Sequence, residues 1–540
     1  MRTYVICGAW PYANGPLHIG HIASLLPGDL LARYLRAQGR PVLYVSGSDC
    51  HGTPITIRAA QEGVSPGQIS ARYHRQFRRD FARLGFSYDH YGATTDPEHI
   101  AFVQDFHRQL YRSAHVQRRT VDAPYCPQCG RLLTDRMVVG RCPYCKGEAR
   151  GDQCDACGAI LEPGQVEQPR CAACGSPPEF RRTTALYLCL SQLAESLGEL
   201  LRRRPAWRAN ARAFTRRYLE VGLRDRAITR DLDWGIDVPL PGYEDKKIYI
   251  WAENVLGYLS ATAAACATRG LRFSDYWGED SYHYYIHGKD NIPFHTIILP
   301  GLLLAHGGGY HLPDAVLSSE YITLQGRKVS TSAGWAVWAA DLLARYDPDA
   351  IRYFFIANGP ERRDADFSFE QFAARNNAEL VGVYGNFIHR TLAFVNRYLG
   401  SAVPDGAPDP TLRRAVDEAF AGTGSDLEKG RLREALLRVI ELARLGNRYF
   451  DAHAPWLARV HNPADCANTL FNYVLLVCAL AVLSGPFLPF SAARVQSWLG
   501  LENRWRFQPA VPGAALPEAQ ALFARITPAQ VQAELARLGS

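Results

Sequence analysis

The chain has 540 residues, 47% hydrophobic and 21% charged, with a formal net charge of +7 and a sequence pI near 8.7. Those proportions describe an ordinary soluble folded protein and exclude a low-complexity one, and the length allows about three or four domains with cores of their own. The positive balance permits a polyanionic partner.

The N-terminus begins directly with strand-like residues and has no basic flank, so no secretory signal is expected and the cytoplasm is the expected compartment. After the apolar run at 4–9 comes PYANGPLHIGH (11–21), and then a helical pattern through Leu25, Leu30 and Leu31. This reads as a strand, a tight turn and a helix start. His18 and His21 stand three residues apart and so share one helix face, and Gly20 leaves no side chain to keep a ligand off the backbone. A helix N-terminus with unpaired N–H groups and two imidazole donors suits a nucleotide triphosphate. Alternating strand-like and helical runs continue to about residue 115, the pattern of a parallel α/β sheet.

Eight of the 14 Cys fall between 126 and 174 in four CxxC pairs: Cys126/Cys129, Cys142/Cys145, Cys154/Cys157 and Cys171/Cys174. Two pairs supply the four thiolates of a tetrahedral zinc site, so this window has ligands for two Zn²⁺. The surrounding residues are mostly Gly, Pro, Arg and Asp, and such a segment needs its metal to fold. Spacing alone leaves open which pair joins which. Strand-like runs return at 247–251 and 282–286, so the nucleotide fold is split by an insertion, with its ligand site at the carboxyl ends of the strands.

Only six of the 60 basic residues are Lys. One is Lys289, in IHGKDNIPFH (286–295); another is Lys328, in QGRKVSTSAG (325–334), a Gly-bounded loop whose cation can close over a leaving pyrophosphate. From about 376 onward strand patterns vanish and amphipathic spacing indicates a helical bundle. The most apolar run, 474–483, stops at Ser-Gly-Pro486, well short of the about 20 residues a membrane span needs, and is expected as a buried helix.

HIGH at 18–21, KVSTS at 328–332, SDCHGTP at 48–54, ITRDLDWG at 228–235 and GKDNIPFH at 288–295 together resemble the class I methionyl-tRNA synthetases, in order over nearly the whole chain. PYANG before HIGH, the cysteine module and HAPW at 453–456 narrow a general class I likeness to the methionine branch. The resemblance implies a split Rossmann-like α/β catalytic domain with a zinc-binding insertion and a C-terminal α-helical bundle. Its expected boundaries are catalytic domain 1–115 and 225–324, insertion 116–224, loop and stem-contact region 325–375, and anticodon-binding bundle 376–540.

The resemblance also implies residue roles. His18, His21, Lys328 and Arg230 would be catalytic; Gly20, Gly288, Asp290 and Lys328 would bind ATP. Asp49 would hold the substrate ammonium, with Tyr12, Trp251, Tyr258 and His295 lining the methionine side-chain pocket. Asn386, Arg390 and Trp456 would read the CAU anticodon. The cysteines would nest, 142/145 with 154/157 on one zinc and 126/129 with 171/174 on the other. The implied partners are ATP with Mg²⁺, L-methionine and tRNA(Met). A fused dimerisation module after the bundle is not expected, and a monomer is expected.

Three departures stand out: Trp10 where the family more often has a Leu-like residue, Glu253-Asn254-Val255 where it has Asp-Ala-Pro, and Thr331 in place of the second loop lysine. They keep two rival readings in view, another class I specificity and a catalytically silent RNA-binding relative.

Overall fold

The computed structural model describes residues 2–154, 156–330 and 334–538. Five parallel strands form its central sheet: β1 (Thr3–Gly8), β2 (Val42–Ser48), β3 (His90–Ala93), β4 (Ser281–Gly288) and β5 (Ala315–Ser319), in the order β5-β4-β1-β2-β3. The strand order reverses where β1 pairs with β4 on one side and β2 on the other. A ligand crevice therefore opens at the carboxyl ends of β1 and β4, beside Gly8 and Gly288. Helices cover both faces, and every residue of β2 is buried, which explains its near-continuous apolar run.

Between β3 and β4 lies the long insertion. The antiparallel strands Val116–Cys126 and Glu179–Leu188 form a ribbon that carries the cysteine module at its far end. Apart from cysteines, the buried apolar set of that module is Leu133, Val138, Ala149, Leu161 and Val166, too small a core to hold the fold alone.

The strand expected at 247–251 is mostly something else. Lys247–Ile248 pairs antiparallel with Thr229–Arg230 apart from the parallel sheet, and a helical turn, Ile250–Glu253, follows at once. Tertiary contact overrides the β preference of Ile and Trp here, because Trp251 stacks face to face on Phe294 at 3.6 Å.

Helix α1 (Ile19–Ala37) leaves the crevice and is the hub of the molecule. At its middle, Asp29 accepts from Arg352 at 2.7 Å, from Arg33 at 2.7 Å, and from the Ser87 N–H and hydroxyl at 2.7 and 2.6 Å. Arg352, in α2 (Pro348–Ala357), donates its other N–H groups to the carbonyls of Leu84, Pro486 and Phe487 at 3.1, 2.9 and 3.0 Å. Both side chains are 0% exposed. Such a pair persists only when hydrogen bonds replace the water it gave up, and here donors and acceptors are matched.

The remainder is helical: α3 (Asn386–Tyr398), α4 (Pro410–Glu428), α5 (Leu432–His453), α6 (Pro455–His461) and α7 (Pro463–Leu483). α7 begins well before the apolar run, because the Asn462 side chain caps it and Pro463 opens its first turn. At 21 residues it is long and apolar enough to cross a membrane, yet 89% of its apolar window is buried inside the fold. It is the core helix of the bundle.

Removing one partner of the central pair leaves a buried, uncompensated charge. Arg352→Ala should lower stability by about 3–5 kcal/mol in chemical or thermal unfolding. A loss below about 1 kcal/mol, the size of an ordinary surface ion pair, would contradict its role.

Candidate active site

β1 delivers the chain to Ala9, whose N–H bonds to the Ile286 carbonyl of β4 at 2.9 Å. The next turn is clamped against the segment after β2: Asp49 N–H donates to the Pro11 carbonyl at 2.9 Å and Ala13 N–H to the Asp49 carbonyl at 2.8 Å. His18 is then the N-cap of α1. Its Nδ1 accepts the Gly20 N–H at 3.0 Å, and the Nδ1 of His21 accepts the His18 N–H at 3.1 Å. Two imidazoles thus build a reciprocal capping box. Since each Nδ1 accepts, each Nε2 carries the proton. The site presents two neutral N–H donors, not two cations. Burial disfavours the charged ring, bringing His18 down to about 4 and lowering His21 as well, with His18 a second cause. Gly20 has a reason beyond an open backbone: a Cβ there would stand 2.8 Å from Cε1 of His18, so glycine lets that ring fold back over the helix start.

The distant basic segment comes to the same turn. Ile19 N–H donates to Val337 at 3.1 Å and Ala339 N–H to Leu17 at 2.8 Å. Rather than an open loop, 322–328 is a hairpin whose Gln325 and Gly326 have φ of 51° and 72°, the two-residue turn that favours Gly. Lys328 lies exposed on its second strand and, with Tyr12, Trp251, Lys289 and Asp290, lines a cleft of about 560 Å³. Lys289 is held by Glu320 and Asp364 at 2.8 and 2.9 Å, while Asp290 accepts the Tyr321 hydroxyl. Arg327 lies 4.3 Å over the Trp335 ring, so it packs on its own hairpin. Thr331 and Ser332 lie outside the described residues.

Beside the histidines a second cavity, of about 160 Å³, is lined by Tyr12, Asp49, Trp251, Tyr258, His295 and Gly288 among others. The Tyr258 hydroxyl donates to His295 Nε2 at 2.7 Å, and His295 Nδ1 donates to the Asn291 carbonyl at 2.8 Å. Burial brings His295 down to about 4, so this end of the pocket is neutral and aromatic. Trp10 also lines it, seated where a Cβ on Gly47 or Gly257 would come within 2.4 or 2.7 Å of its ring.

Asp49 supplies the pocket with a carboxylate. It is 1% exposed, and burial, then the nearby Glu253, push its pKa well above the usual range. A cation placed here would relieve that penalty. Of the departing triplet, Asn254 and Val255 line the cavity, whereas Glu253 turns away and bonds through Oε1 to Nδ1 of His51 at 2.5 Å. Sequence reading gave no role to His51, although it sits inside the SDCHGTP motif; its N–H also reaches Asp49 Oδ1 at 3.2 Å.

Arg230 does not join this group. It is buried, 2.7 Å from Glu162 and 3.6 Å from Asp135, with its guanidinium 4.1 Å over the Tyr249 ring. Those partners bind the segment of Arg230 to the insertion, and among the described contacts Arg230 lines neither the cleft nor the aromatic cavity.

The eight cysteines converge as two tetrads, Cys126/Cys129/Cys171/Cys174 and Cys142/Cys145/Cys154/Cys157. Sulfur pairs across the tetrads are 3.4–3.8 Å apart, close to the roughly 3.8 Å edge of a tetrahedron with Zn–S near 2.3 Å. Four equivalent turns hold them, each closed by an N–H of 2.8–3.0 Å to the first cysteine's carbonyl. Three of those turns use Gly130, Gly158 and Gly175 at positive φ, and the fourth uses Lys146 at φ 62°. Either tetrad can hold a zinc ion.

In the bundle, α3, α5 and α6 bring the three remaining candidates together. Arg390 pairs with Asp451 at 2.6 Å and lies over the rings of Phe450 and Trp456 at 3.9 and 5.8 Å; Asn386 donates to Asn447 at 3.2 Å. Trp456 keeps 43% of its surface exposed, so this is an open platform with a polar edge.

Comparison with known proteins agrees from end to end. Residues 4–392 match the family model described as tRNA synthetases class I (M), and 401–540 match the anticodon binding domain of methionyl tRNA ligase. The chain is 47% identical over 537 residues to methionine–tRNA ligase 1 of Alkaliphilus oremlandii, covering 99% of each, and 46% identical to a methionine–tRNA ligase of Bacillus anthracis, covering 99% of this chain and 98% of that one. Its fold matches Mycobacterium tuberculosis methionyl-tRNA synthetase in complex with methionyl-adenylate, with a TM-score of 0.81 and 24% identity over 97% of this chain and all of that one.

The neutral histidine pair gives a direct pH test. The C–H resonances of the His18 ring should stay those of neutral imidazole from pH 8 down to about pH 5 in an NMR titration, with protonation only near 4. A midpoint near the ordinary 6.5 would show an ionised donor instead.

Proposed function

We propose a mechanism on the premise that this chain belongs to the class I methionyl-tRNA synthetase family and is a methionine–tRNA ligase. In the first step the methionine carboxylate oxygen attacks the α-phosphorus of ATP, the bond to the bridging oxygen breaks, and pyrophosphate leaves with methionyl-adenylate formed. In the second, a hydroxyl of the 3′-terminal adenosine of tRNA(Met) attacks the adenylate carbonyl and AMP leaves. The observation that carries this reading is the direct hydrogen bonding of the HIGH turn to the segment after Lys328, with the aromatic pocket opening beside both.

Each residue's part follows from its environment. His18 and His21 donate Nε2–H to phosphate oxygens as charge builds, and being neutral and already seated by their backbone bonds they need no reorganisation. Asp49 holds the methionine ammonium, whose charge relieves the strain of a buried carboxylate. Tyr12, Trp251, Tyr258 and His295 surround the thioether, which is apolar and polarisable and packs well against rings. Lys328 sets a point charge against the departing pyrophosphate, and Gly20, Gly288 and Asp290 bound the nucleotide. Mg²⁺ enters with ATP as part of the substrate. Zinc on the two tetrads supplies the folding energy that the module's small core lacks, and no reacting atom passes through it. In the bundle, Trp456 stacks on an anticodon base while Asn386 and Arg390 meet base edges. We place the enzyme in the cytoplasm as a monomer.

Three measurements test these assignments. Metal analysis under reducing conditions should return two zinc equivalents per chain; one or fewer would remove a site. Lys328→Ala should slow methionyl-adenylate formation about 10²–10³-fold, the effect of losing one preorganised donor, with little change in methionine affinity. Wild-type rates in that variant would take catalysis away from the hairpin. Trp456→Ala should cost about 1–3 kcal/mol of tRNA binding and leave adenylate formation intact; equal damage to both would make the tryptophan structural.

A further inference from the structure

The sheet has a second cavity at its opposite end, about 520 Å³ in volume, bounded by Tyr4, Tyr282 and Tyr284, by the segment 205–208 returning from the insertion, and by Glu428 and Lys429 at the end of α4. Catalysis as described uses none of these residues. The parallel register explains the aromatic wall: Tyr4 pairs with Tyr282, and Tyr284 follows two residues on, so all three face the same side of the sheet. Their ring centroids are 6.0 and 4.9 Å apart. The rings are tilted by 44° and 52° to one another, too close to admit a ring between them, and they form an angled aromatic wall against one member of which a flat ring can lie.

Cations rim the wall. Arg2 lies 5.7 Å over Tyr282 and Arg40 lies 5.3 Å over Tyr4, while Arg208 reaches in from the insertion and Lys429 from the bundle. The one carboxylate among the lining residues is Glu428, already paired with Arg40 at 2.9 Å, while Arg208 also feels Glu361, Glu320 and Glu434 from behind the wall. Arg40 is further fixed by donating to the Tyr4 hydroxyl at 2.8 Å, and Arg208 by donating to the Ser318 and Gly430 carbonyls at 3.4 and 3.2 Å. Arg40 and Arg208 are therefore anchored around an aromatic wall, in a cavity within the 300–1,000 Å³ range of small-molecule sites. A ligand that satisfies both features has a planar ring and a multiply charged anionic tail.

We propose that this cavity is a second nucleotide site, which takes a nucleoside diphosphate with its base on the Tyr4–Tyr282 wall and its phosphates among Arg2, Arg208 and Lys429. Its walls come from the sheet, the insertion and the bundle, already tied there by Arg40–Glu428 and by Arg208 on the Gly430 carbonyl, and occupancy adds to those ties.

The test separates this site from the catalytic one by first filling the latter. With the enzyme saturated by a non-hydrolysable methionyl-adenylate analogue and by inorganic pyrophosphate, which fills the departure site beside Lys328, ADP and GDP are titrated separately by calorimetry. The expected result is one further equivalent of nucleoside diphosphate, weakened at least tenfold by Lys429→Glu or Tyr282→Ala. Lys429 is exposed, so its reversal leaves folding and adenylate formation unchanged. No further equivalent, or binding indifferent to both substitutions, would overturn the proposal.

Discussion

The buried pair of Asp29 and Arg352 constrains everything else in this molecule. Two charges without water are tolerable only if every polar atom finds a partner, and finding them draws three separate chain segments onto the middle of α1: the middle of α2, the turn from Leu84 to Ser87, and the 486–487 turn after the bundle's core helix. The helix so fixed is the one whose first turn carries His18 and His21. A catalytic turn on a loop would have to be ordered anew by each substrate. Here it is the end of a rod held at its centre.

Electrostatic economy distinguishes the site itself. Burial favours the neutral histidines, so the turn presents directed N–H dipoles and no fixed positive charge, the property the proposed mechanism uses. The aromatic cavity carries the opposite bias, the Asp49 carboxyl raised by burial and then by Glu253. In the proposed mechanism neutral donors face the phosphates, and the buried carboxyl group of Asp49, which accepts the His51 N–H, gains its countercharge from the ammonium.

Legibility in the sequence followed the range of the interactions. The HIGH turn and the CxxC turns are local devices whose chemistry lies within a few residues, and the structure forms both as read. The nested cysteine pairing came from family likeness, and the two tetrads agree with it. What failed depended on distant partners. Lys247 to Trp251 has strand composition but turns helical, since Trp251 is claimed by Phe294, 43 positions away. For Arg230 the family motif gives a role, and the structure adds long-range partners, Glu162 and Asp135 of the insertion, that the motif does not show. Gly20 and Trp10 were visible as letters, but the contact of Gly20 with the His18 ring and the match of Trp10 to two glycines exist only in three dimensions.

The central claim is that the neutral aromatic pocket, Asp49 and the HIGH turn form one site built for methionine activation. Amino-acid-dependent ATP–pyrophosphate exchange by the wild-type protein, with each of the twenty amino acids offered in turn, tests it most directly. The account predicts exchange with methionine far above every other amino acid, although Thr331 stands where the second loop lysine would be. Exchange driven by a different amino acid, or by none, would contradict it.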